Sequence, residues 1–160
     1  MKKFTLHLKI GIFFSACALL GVFYGFDHPE EQTLSIQNLL LKYYNYDGQN
    51  KEIKRVDINV TNTGFCRYRK VYHNGKEELF AFNLSRFKGM DYYGNTTRGE
   101  LYLRTKSDDV IVQTRNDRAG EIDSMGTFLV IPLKNMDVEQ LNNLSQSFKH
   151  LNEVLLAKNK

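Results

Sequence analysis

Two arginines, Arg67 and Arg69, stand two residues apart in a segment that reads as a β-strand. Side chains two apart in a strand point to the same face of its sheet. The guanidinium group is a planar fork that binds carboxylates and phosphates through paired hydrogen bonds, and it also stacks on aromatic rings. The pair therefore favours either recognition of an anionic group or cover for aromatic rings on an outer sheet face.

The segments around these arginines predict a β-hairpin. Asn74-Gly75 supplies the two positive-φ positions of a type I′ turn, and the stretches Phe65 to His73 and Lys76 to Phe87 flank it.

A two-residue turn fixes which residues face each other in this hairpin. Counting back from it sets Arg69 opposite Phe80 and Arg67 opposite Phe82, and directly opposed residues share a face. We therefore expect the two arginines to lie among the two phenylalanines on one face. The opposite, core face is then expected to carry Tyr68, Tyr72, Leu79 and Ala81.

A tyrosine-rich segment is the second candidate for recognition. We predict a loop from Lys88 to Arg98 that presents Tyr92, Tyr93 and Asn95, with backbone freedom from Gly94. Tyrosine, asparagine and glycine form adaptable binding loops, and they also form ordinary turns. The predicted ligand or partner site combines this loop with the face of the two arginines.

Patterns typical of catalysis or metal binding are not found in the sequence. None of the four histidines stands at a triad-like spacing from a Ser, Cys or carboxylate, and there is no Cys-x-x-Cys pair, phosphate loop or nucleophile elbow. We therefore expect a protein that is not an enzyme and has no cofactor and no bound metal. The histidines are His7, His28, His73 and His150.

An acidic segment, Asp117, Glu121 and Asp123, offers oxygen atoms of the kind that bind calcium. Its spacing does not match an EF-hand loop, and Arg118 lies among the acids. A solvated turn is the default interpretation.

Regular alternation predicts the remaining strands. Val56, Ile58 and Val60 alternate with polar residues in a strand from Ile53. A second hairpin is expected to join Glu100 to Thr105 with Val110 to Asn116, around a turn at Lys106 to Asp109. A loop from Asp117 to Gly126 is expected to precede a last strand from Thr127 to Leu133.

Two helices are expected to flank these strands. Asp27 to Glu31 reads as a helix start, and that helix is predicted to end near Tyr46 before Asp47-Gly48. Asp137 and Gln140 approximate a capping box for a final helix. Its apolar stripe consists of Leu141, Leu144, Phe148, Leu151 and Leu155.

The predicted fold class is α+β and mainly antiparallel β. We expect about six strands in a meander sheet or partial barrel, with an N-terminal helix and a C-terminal amphipathic helix packed on it. Residues 27 to 160 are enough for a single domain.

Residues 1 to 26 are interpreted as an export signal or membrane anchor. Lys2, Lys3 and Lys9 precede the uncharged run Ile10 to Phe26, and acids follow it, so the domain is expected outside the cytoplasm of a bacterial cell. Three fates stay open: an anchor retained in the membrane through residues 10–26, cleavage after Ala18, or lipidation of Cys17, whose context resembles a lipobox.

Charge and cysteine content narrow the function further. Removing the three leader lysines leaves 19 basic residues against 18 acidic ones, which lacks the basic excess of a nucleic-acid binder. Cys66 is the only cysteine beyond the leader, so no disulfide framework is expected; it is interpreted as a small buried apolar residue, the alternative being an exposed thiol.

These features predict a non-catalytic binding or accessory module of the cell envelope, with an envelope protein or a small ligand as partner. The alternatives are a small periplasmic enzyme that uses carboxylates and a structural subunit of an envelope assembly. Converging carboxylates in a pocket would favour the enzyme, whereas a flat tyrosine-rich patch would favour the binding module.

Overall fold

A computed structural model of the chain describes residues 29–47 and 51–158. Within these residues, helix α1 (Pro29–Tyr43) comes before eight strands along the chain and helix α2 (Val138–Lys158) comes after them. All strand pairs are antiparallel. The predicted class, α+β and mainly antiparallel β with both helices packed on sheets, is confirmed. The predictions for residues 1–28 lie outside the described residues.

The strands form two sheets, one of five strands and one of three. The larger sheet has the order β1-β2-β3-β6-β7 and the smaller the order β4-β5-β8, where one meander sheet or partial barrel of about six strands was expected. The strands are β1 Ile53–Val60, β2 Phe65–Tyr72, β3 Glu77–Asn83, β4 Phe87–Gly94, β5 Arg98–Thr105, β6 Val110–Arg115, β7 Asp123–Gly126 and β8 Phe128–Lys134.

The chain crosses from one sheet to the other three times, between β3 and β4, between β5 and β6, and between β7 and β8. The neighbour order β3-β6-β7 in the larger sheet matches the order β4-β5-β8 in the smaller one. Three strand pairs therefore turn the same corner side by side. At this corner the backbone N–H and the hydroxyl of Thr105 both donate to the carbonyl of Thr127, at 2.9 and 3.0 Å.

This corner shows that the predicted second hairpin is wrong, because β5 and β6 belong to different sheets. The turn between them is held by the segment before β4, since the N–H of Lys106 donates to the carbonyl of Arg86 at 3.0 Å. It carries the chain around the corner instead of reversing it. The predicted loop after β6 also contains a strand, β7, which pairs with β6.

The first hairpin is confirmed, but its turn has three residues instead of two. The N–H of Tyr72 donates to the carbonyl of Lys76 at 2.9 Å, and the N–H of Gly75 donates to the carbonyl of Tyr72 at 3.1 Å. Gly75 is the only residue of this turn with positive φ, +87°, whereas a type I′ turn needs two. The arrangement is a tight turn closed by a glycine bulge.

The extra turn residue shifts the register of the hairpin by one position. Arg69 pairs with Leu79 and Arg67 with Ala81, so the predicted pairings with phenylalanine are wrong. A shift of one residue moves every side chain of a strand to the other face relative to its partner. Tyr68 lies on the core face as predicted, but it shares that face with the two phenylalanines of β3.

The ends of both helices are set by specific contacts. α1 ends at Tyr43 and not near Tyr46, because Tyr44 forms a β-bridge with Leu133 of β8. At the start of α2 the capping box is confirmed: the N–H of Asp137 donates to Oε1 of Gln140 at 3.1 Å, and the N–H of Gln140 donates to Oδ1 of Asp137 at 2.8 Å.

The core lies between the two sheets and the two helices. β1 buries its three alternating apolar residues as predicted, and the stripe of α2 is buried except for Leu141, which is half-buried. The rings of Phe148 and Phe87 stack with centroids 5.4 Å apart. Residues from both sheets and both helices in this core include Ile36, Leu40, Val56, Ile58, Cys66, Phe82, Leu101, Leu103, Leu129, Ile131, Leu144, Phe148 and Leu151.

The outermost strands of both sheets have interrupted edges. The register slips by one residue at Lys54 of β1 and at Lys88 of β4, so each of these edge strands contains a bulged lysine. β7 has only four residues, and β8 contains Pro132, whose carbonyl accepts from the N–H of Asn45 at 3.0 Å.

The burial of Phe148 predicts a large loss of stability on truncation. Phe148→Ala should lower the free energy of unfolding by about 3–5 kcal/mol, because it leaves a cavity between α2 and β4. Urea unfolding followed by circular dichroism measures this change. Leu156→Ala, a partly exposed residue of the same helix, should change the free energy by less than about 1 kcal/mol. Equal effects of the two variants would show that the stripe is not core.

Candidate functional site

The residues predicted to form one binding site are divided between the faces of the two sheets. Arg67 and Arg69 share a face as predicted, and it is the outer face of the larger sheet. Phe80 and Phe82 point to the other side of that sheet, where Phe82 is buried at 1% exposure. The predicted grouping of arginines with phenylalanines is therefore wrong.

The predicted loop from Lys88 to Arg98 is wrong as well, because this segment is the strand β4 and the turn that joins it to β5. Tyr92 points inward, and its hydroxyl donates to the carbonyl of Asn95 at 2.9 Å. Asn95 shapes the turn, since its Oδ1 accepts from the N–H groups of Thr97 and Arg98 at 2.9 and 3.0 Å. Both residues are occupied in holding the hairpin together.

Gly94 and Gly99 allow this hairpin to close tightly. Gly94 has a φ of +148°, and a Cβ built on it would lie 2.4 Å from the Cα of Gly99. A Cβ on Gly99 would lie 2.5 Å from Cζ of Tyr92, so the tyrosine ring lies directly over this glycine. The glycines thus serve close packing and not loop mobility.

Of the two tyrosines in this segment, Tyr93 faces solvent, on the outer face of the smaller sheet, where 57% of it is exposed. It belongs to what we call the aromatic face. The pairings of β4, β5 and β8 bring together Tyr93, Tyr102, Arg104, Phe128, Val130 and Pro132 on this face.

The rings of the aromatic face contact one another in a row. Tyr93 and Tyr102 have centroids 5.1 Å apart and meet edge to face at 84°, and Tyr102 and Phe128 have centroids 5.4 Å apart at 42°. Cζ of Arg104 lies 5.7 and 5.8 Å from the centroids of Tyr102 and Phe128. The result is a contiguous row of three rings with a guanidinium group beside it.

The charges at the aromatic face are internally balanced. Arg104 forms an ion pair with Asp91, and the hydroxyl of Tyr102 donates to Oε2 of Glu100 at 3.0 Å. Lys134, at the end of β8, pairs with Asp47. The face therefore offers apolar and aromatic contact area with little net charge.

A second surface, which we call the arginine concavity, lies on the outer face of the larger sheet. It has a volume of about 590 Å³. Its lining residues are Arg55, Asp57, Asn59, Arg67, Arg69 and Leu79. The sequence predicted two of these arginines as candidate binding residues, and the structure adds Arg55 from β1.

A buried hydroxyl pair lies on the inner face of the larger sheet. The hydroxyls of Tyr44 and Tyr68 are 2.7 Å apart. Burial raises the pKa of Tyr44 to about 12 and raises the pKa of Tyr68 as well. Cys66 is fully buried, as interpreted from the sequence, and burial raises the pKa of its thiol to about 12, which makes it a poor nucleophile.

The carboxylates of Glu78 and Asp117 are held by lysine ammonium groups. Nζ of Lys76 lies 3.2 Å from Glu78 and 2.8 Å from Asp117, and Lys70 lies 3.3 Å from Glu78. Burial alone would raise the pKa of Glu78, but the Tyr72 hydroxyl and the two lysines together lower it.

The acidic segment after β6 is a turn that leads into β7, whose first residue is Asp123. Oδ1 of Asp123 accepts from Gln113 at 3.2 Å, and Oε1 of Glu121 accepts from the N–H of Asn116 at 3.2 Å. Within residues 29–47 and 51–158, no group of three or more His, Cys, Asp or Glu side chains is placed to hold a metal ion.

Comparison of the chain with protein-family models, with curated proteins and with solved structures found no match. Neither helix in the described part of the chain is both long and apolar enough to cross a bilayer.

Sequence reasoning missed Tyr102, Arg104 and Phe128 as surface residues. A signal was present, because Tyr102 and Arg104 alternate with the apolar Leu101 and Leu103 in a strand that was predicted. These outward residues form a continuous surface only because β4 and β8 flank β5, and the sequence does not show that pairing.

The buried hydroxyl and thiol groups predict loss of stability at alkaline pH. The unfolded chain releases these protons near pH 9.0 for Cys66 and 10.0 for tyrosine, whereas the folded chain holds them to about pH 12 for Cys66 and Tyr44. The unfolded state then binds fewer protons, so their contribution is complete below about pH 9 and is lost as pH rises toward about 12.

Each such group should reduce the free energy of unfolding by about 1.4 kcal/mol per pH unit once its unfolded form is ionised. Urea unfolding between about pH 8 and about pH 11 measures the slope. Tyr68→Phe removes one titrating group and should flatten the curve above about pH 10. A free energy that stays constant over this range would contradict the prediction.

Proposed function

We propose that this protein is a non-catalytic binding module that recognises a protein partner through the aromatic face. The observation that carries the proposal is the row of Tyr93, Tyr102 and Phe128 on the outer face of the smaller sheet. Tyr93 and Phe128 are 57% and 43% exposed, respectively. Exposed, contiguous aromatic side chains of this kind mark interaction surfaces.

The chemistry of the face favours a protein over other partners. Tyrosine, phenylalanine and arginine are enriched at protein interfaces, and tyrosine and arginine are also enriched among their hot spots. Arg104 is neutralised by Asp91, so the face lacks the free positive charge that a nucleic acid requires. The rings meet at 84° and 42°, so they do not form the flat platform on which the bases of a single-stranded nucleic acid stack.

The arrangement of the carboxylates supports a binding module in preference to the alternative enzyme. Glu78 and Asp117 approach each other only through Lys76, whose ammonium group pairs with both. A carboxylate that works as a general acid needs a raised pKa, whereas the pKa values of Glu78 and Asp117 are lowered.

The place of action proposed for the module is the cell envelope, outside the cytoplasm. The support is the order of charges in the first 31 residues: lysines, then the uncharged run Ile10 to Phe26, then acids. The segment either tethers the chain to the membrane or directs its secretion.

The aromatic face predicts a matched pair of binding results. The combined change Tyr93→Ala and Phe128→Ala should reduce partner capture by at least about 30-fold, because a single hot spot contributes about 2 kcal/mol or more. Both side chains are exposed, so the free energy of unfolding should change by less than about 1 kcal/mol. The wild-type chain serves as bait for detergent-solubilised membranes, and each captured protein is quantified by mass spectrometry.

Leu34→Ala is the control, because Leu34 is 55% exposed and lies on α1, away from the aromatic face. It should leave capture unchanged. Equal capture by the double variant and the wild type would exclude the aromatic face as the binding surface.

The export proposal predicts the side of the membrane on which the chain ends. A reporter that works only in the periplasm, fused after Lys160, should be active, and a deletion of residues 1–26 should abolish that activity. Activity of a cytoplasm-dependent reporter alone at the same position would contradict an extracytoplasmic domain.

A further inference from the structure

We propose that the arginine concavity is a binding site for a small anionic ligand, a compound with a carboxylate or phosphate group on an apolar body. The site is on the larger sheet, whereas the aromatic face is on the smaller one, so this inference does not depend on the proposed protein partner.

Asp57 organises two of the three arginines. Its Oδ2 accepts from Nε and Nη2 of Arg69 at 3.1 and 2.9 Å, and Nη2 of Arg55 lies 3.1 Å away. Nη1 of Arg69 lies 3.6 Å from Glu77, at the margin of the site. Two guanidinium groups are thus fixed by one central carboxylate before any ligand binds.

Arg67 is the donor left available to a ligand. It forms no ion pair with any carboxylate of the described residues, and its Cζ lies 5.4 Å from the centroid of the Phe65 ring. The residues directly across from it are Asn59 on β1 and Ala81 on β3. Neither neighbour carries charge, so the five N–H donors of Arg67 have no built-in anion.

The charge of the concavity favours an anion. Three arginines and one aspartate line it, and Glu77 at the margin still leaves an excess of positive charge. This excess is local, because the chain beyond its leader is nearly neutral. An oxyanion bound beside Arg67 would neutralise this arginine, as Asp57 and Glu77 together neutralise Arg55 and Arg69.

The floor of the concavity adds a second requirement for the ligand, which is an apolar part. Leu79 is the apolar residue among those that line the site. The volume of about 590 Å³ is in the range of small-molecule sites. A ring or short chain attached to the oxyanion could cover this apolar floor, so the ligand class is an anion with an apolar body and not a bare ion.

The test uses the detergent-solubilised full chain, labelled with ¹⁵N, and three probes: benzoate, phenyl phosphate and inorganic phosphate. Benzoate or phenyl phosphate should shift the amide signals of Arg67, Arg69 and Leu79 with a dissociation constant near about 1 mM. The stronger of the two identifies the carboxylate or the phosphate as the preferred group. Inorganic phosphate should bind at least tenfold more weakly than phenyl phosphate, because it cannot cover the apolar floor.

Arg67→Ala should weaken binding of the better probe at least tenfold, and Arg67→Lys should give an intermediate value, since it keeps the charge but loses the fork. Asn59→Asp places a carboxylate directly across from Arg67 and should abolish binding without removing any arginine. The control is Arg118→Ala, an exposed arginine of the turn after β6, which should bind as the wild type does.

Unchanged binding in Arg67→Ala and Asn59→Asp overturns the proposal, and so does the absence of any shift up to about 20 mM of every probe. Equal affinity for inorganic phosphate and phenyl phosphate overturns the apolar body. The combined Tyr93→Ala and Phe128→Ala variant should bind the probes normally, which separates a failure here from a failure of the proposed function.

Discussion

The turn at Gly75 is the constraint on which the two faces of the larger sheet depend. Its positive φ closes a three-residue turn, and that turn fixes the pairing of β2 with β3. With this register, Tyr68 and Phe82 point into the core while Arg67 points outward. One residue fewer in the turn would place the arginines opposite the two core phenylalanines, and either two cations or two apolar rings would lie on the wrong side.

The register of the first hairpin also affects the smaller sheet, because the chain passes from one sheet to the other at the corner. β3 continues into β4, and β6 and β7, which lie on one side of β3, are connected in the same order to β5 and β8. An error in the first hairpin would therefore propagate around the bend. The core that fills the bend is completed by α2, whose Phe148 stacks on Phe87 at the start of β4. The arginine concavity and the aromatic face are therefore two outer surfaces of one bent framework.

Local sequence patterns predicted the elements whose formation depends on interactions between residues close in sequence. The alternation of β1, the apolar stripe of α2 and its capping box at Asp137 all follow from residues close in sequence, and all are observed. The pairing of β5 was not predictable in this way, because a short polar turn at Lys106 fits both a hairpin and a corner. The arginine pair was recognised from its spacing, but its neighbours were misassigned, since one turn residue decides them and Asn74-Gly75 fits two turn types.

The lysines that bulge from β1 and β4 limit how copies of this protein can meet. A strand can extend a neighbouring sheet only where a run of backbone N–H and C=O groups lies free and regular. Lys54 and Lys88 place a kink and a positive charge near the start of each strand, which shortens the regular runs to residues 55–60 in β1 and 89–94 in β4. Pro132 and the shortness of β7 do the same at the other two edges. These features disfavour backbone pairing between the sheet edges of two copies, so side-chain contacts are the more favourable route by which the described surfaces can enter an assembly.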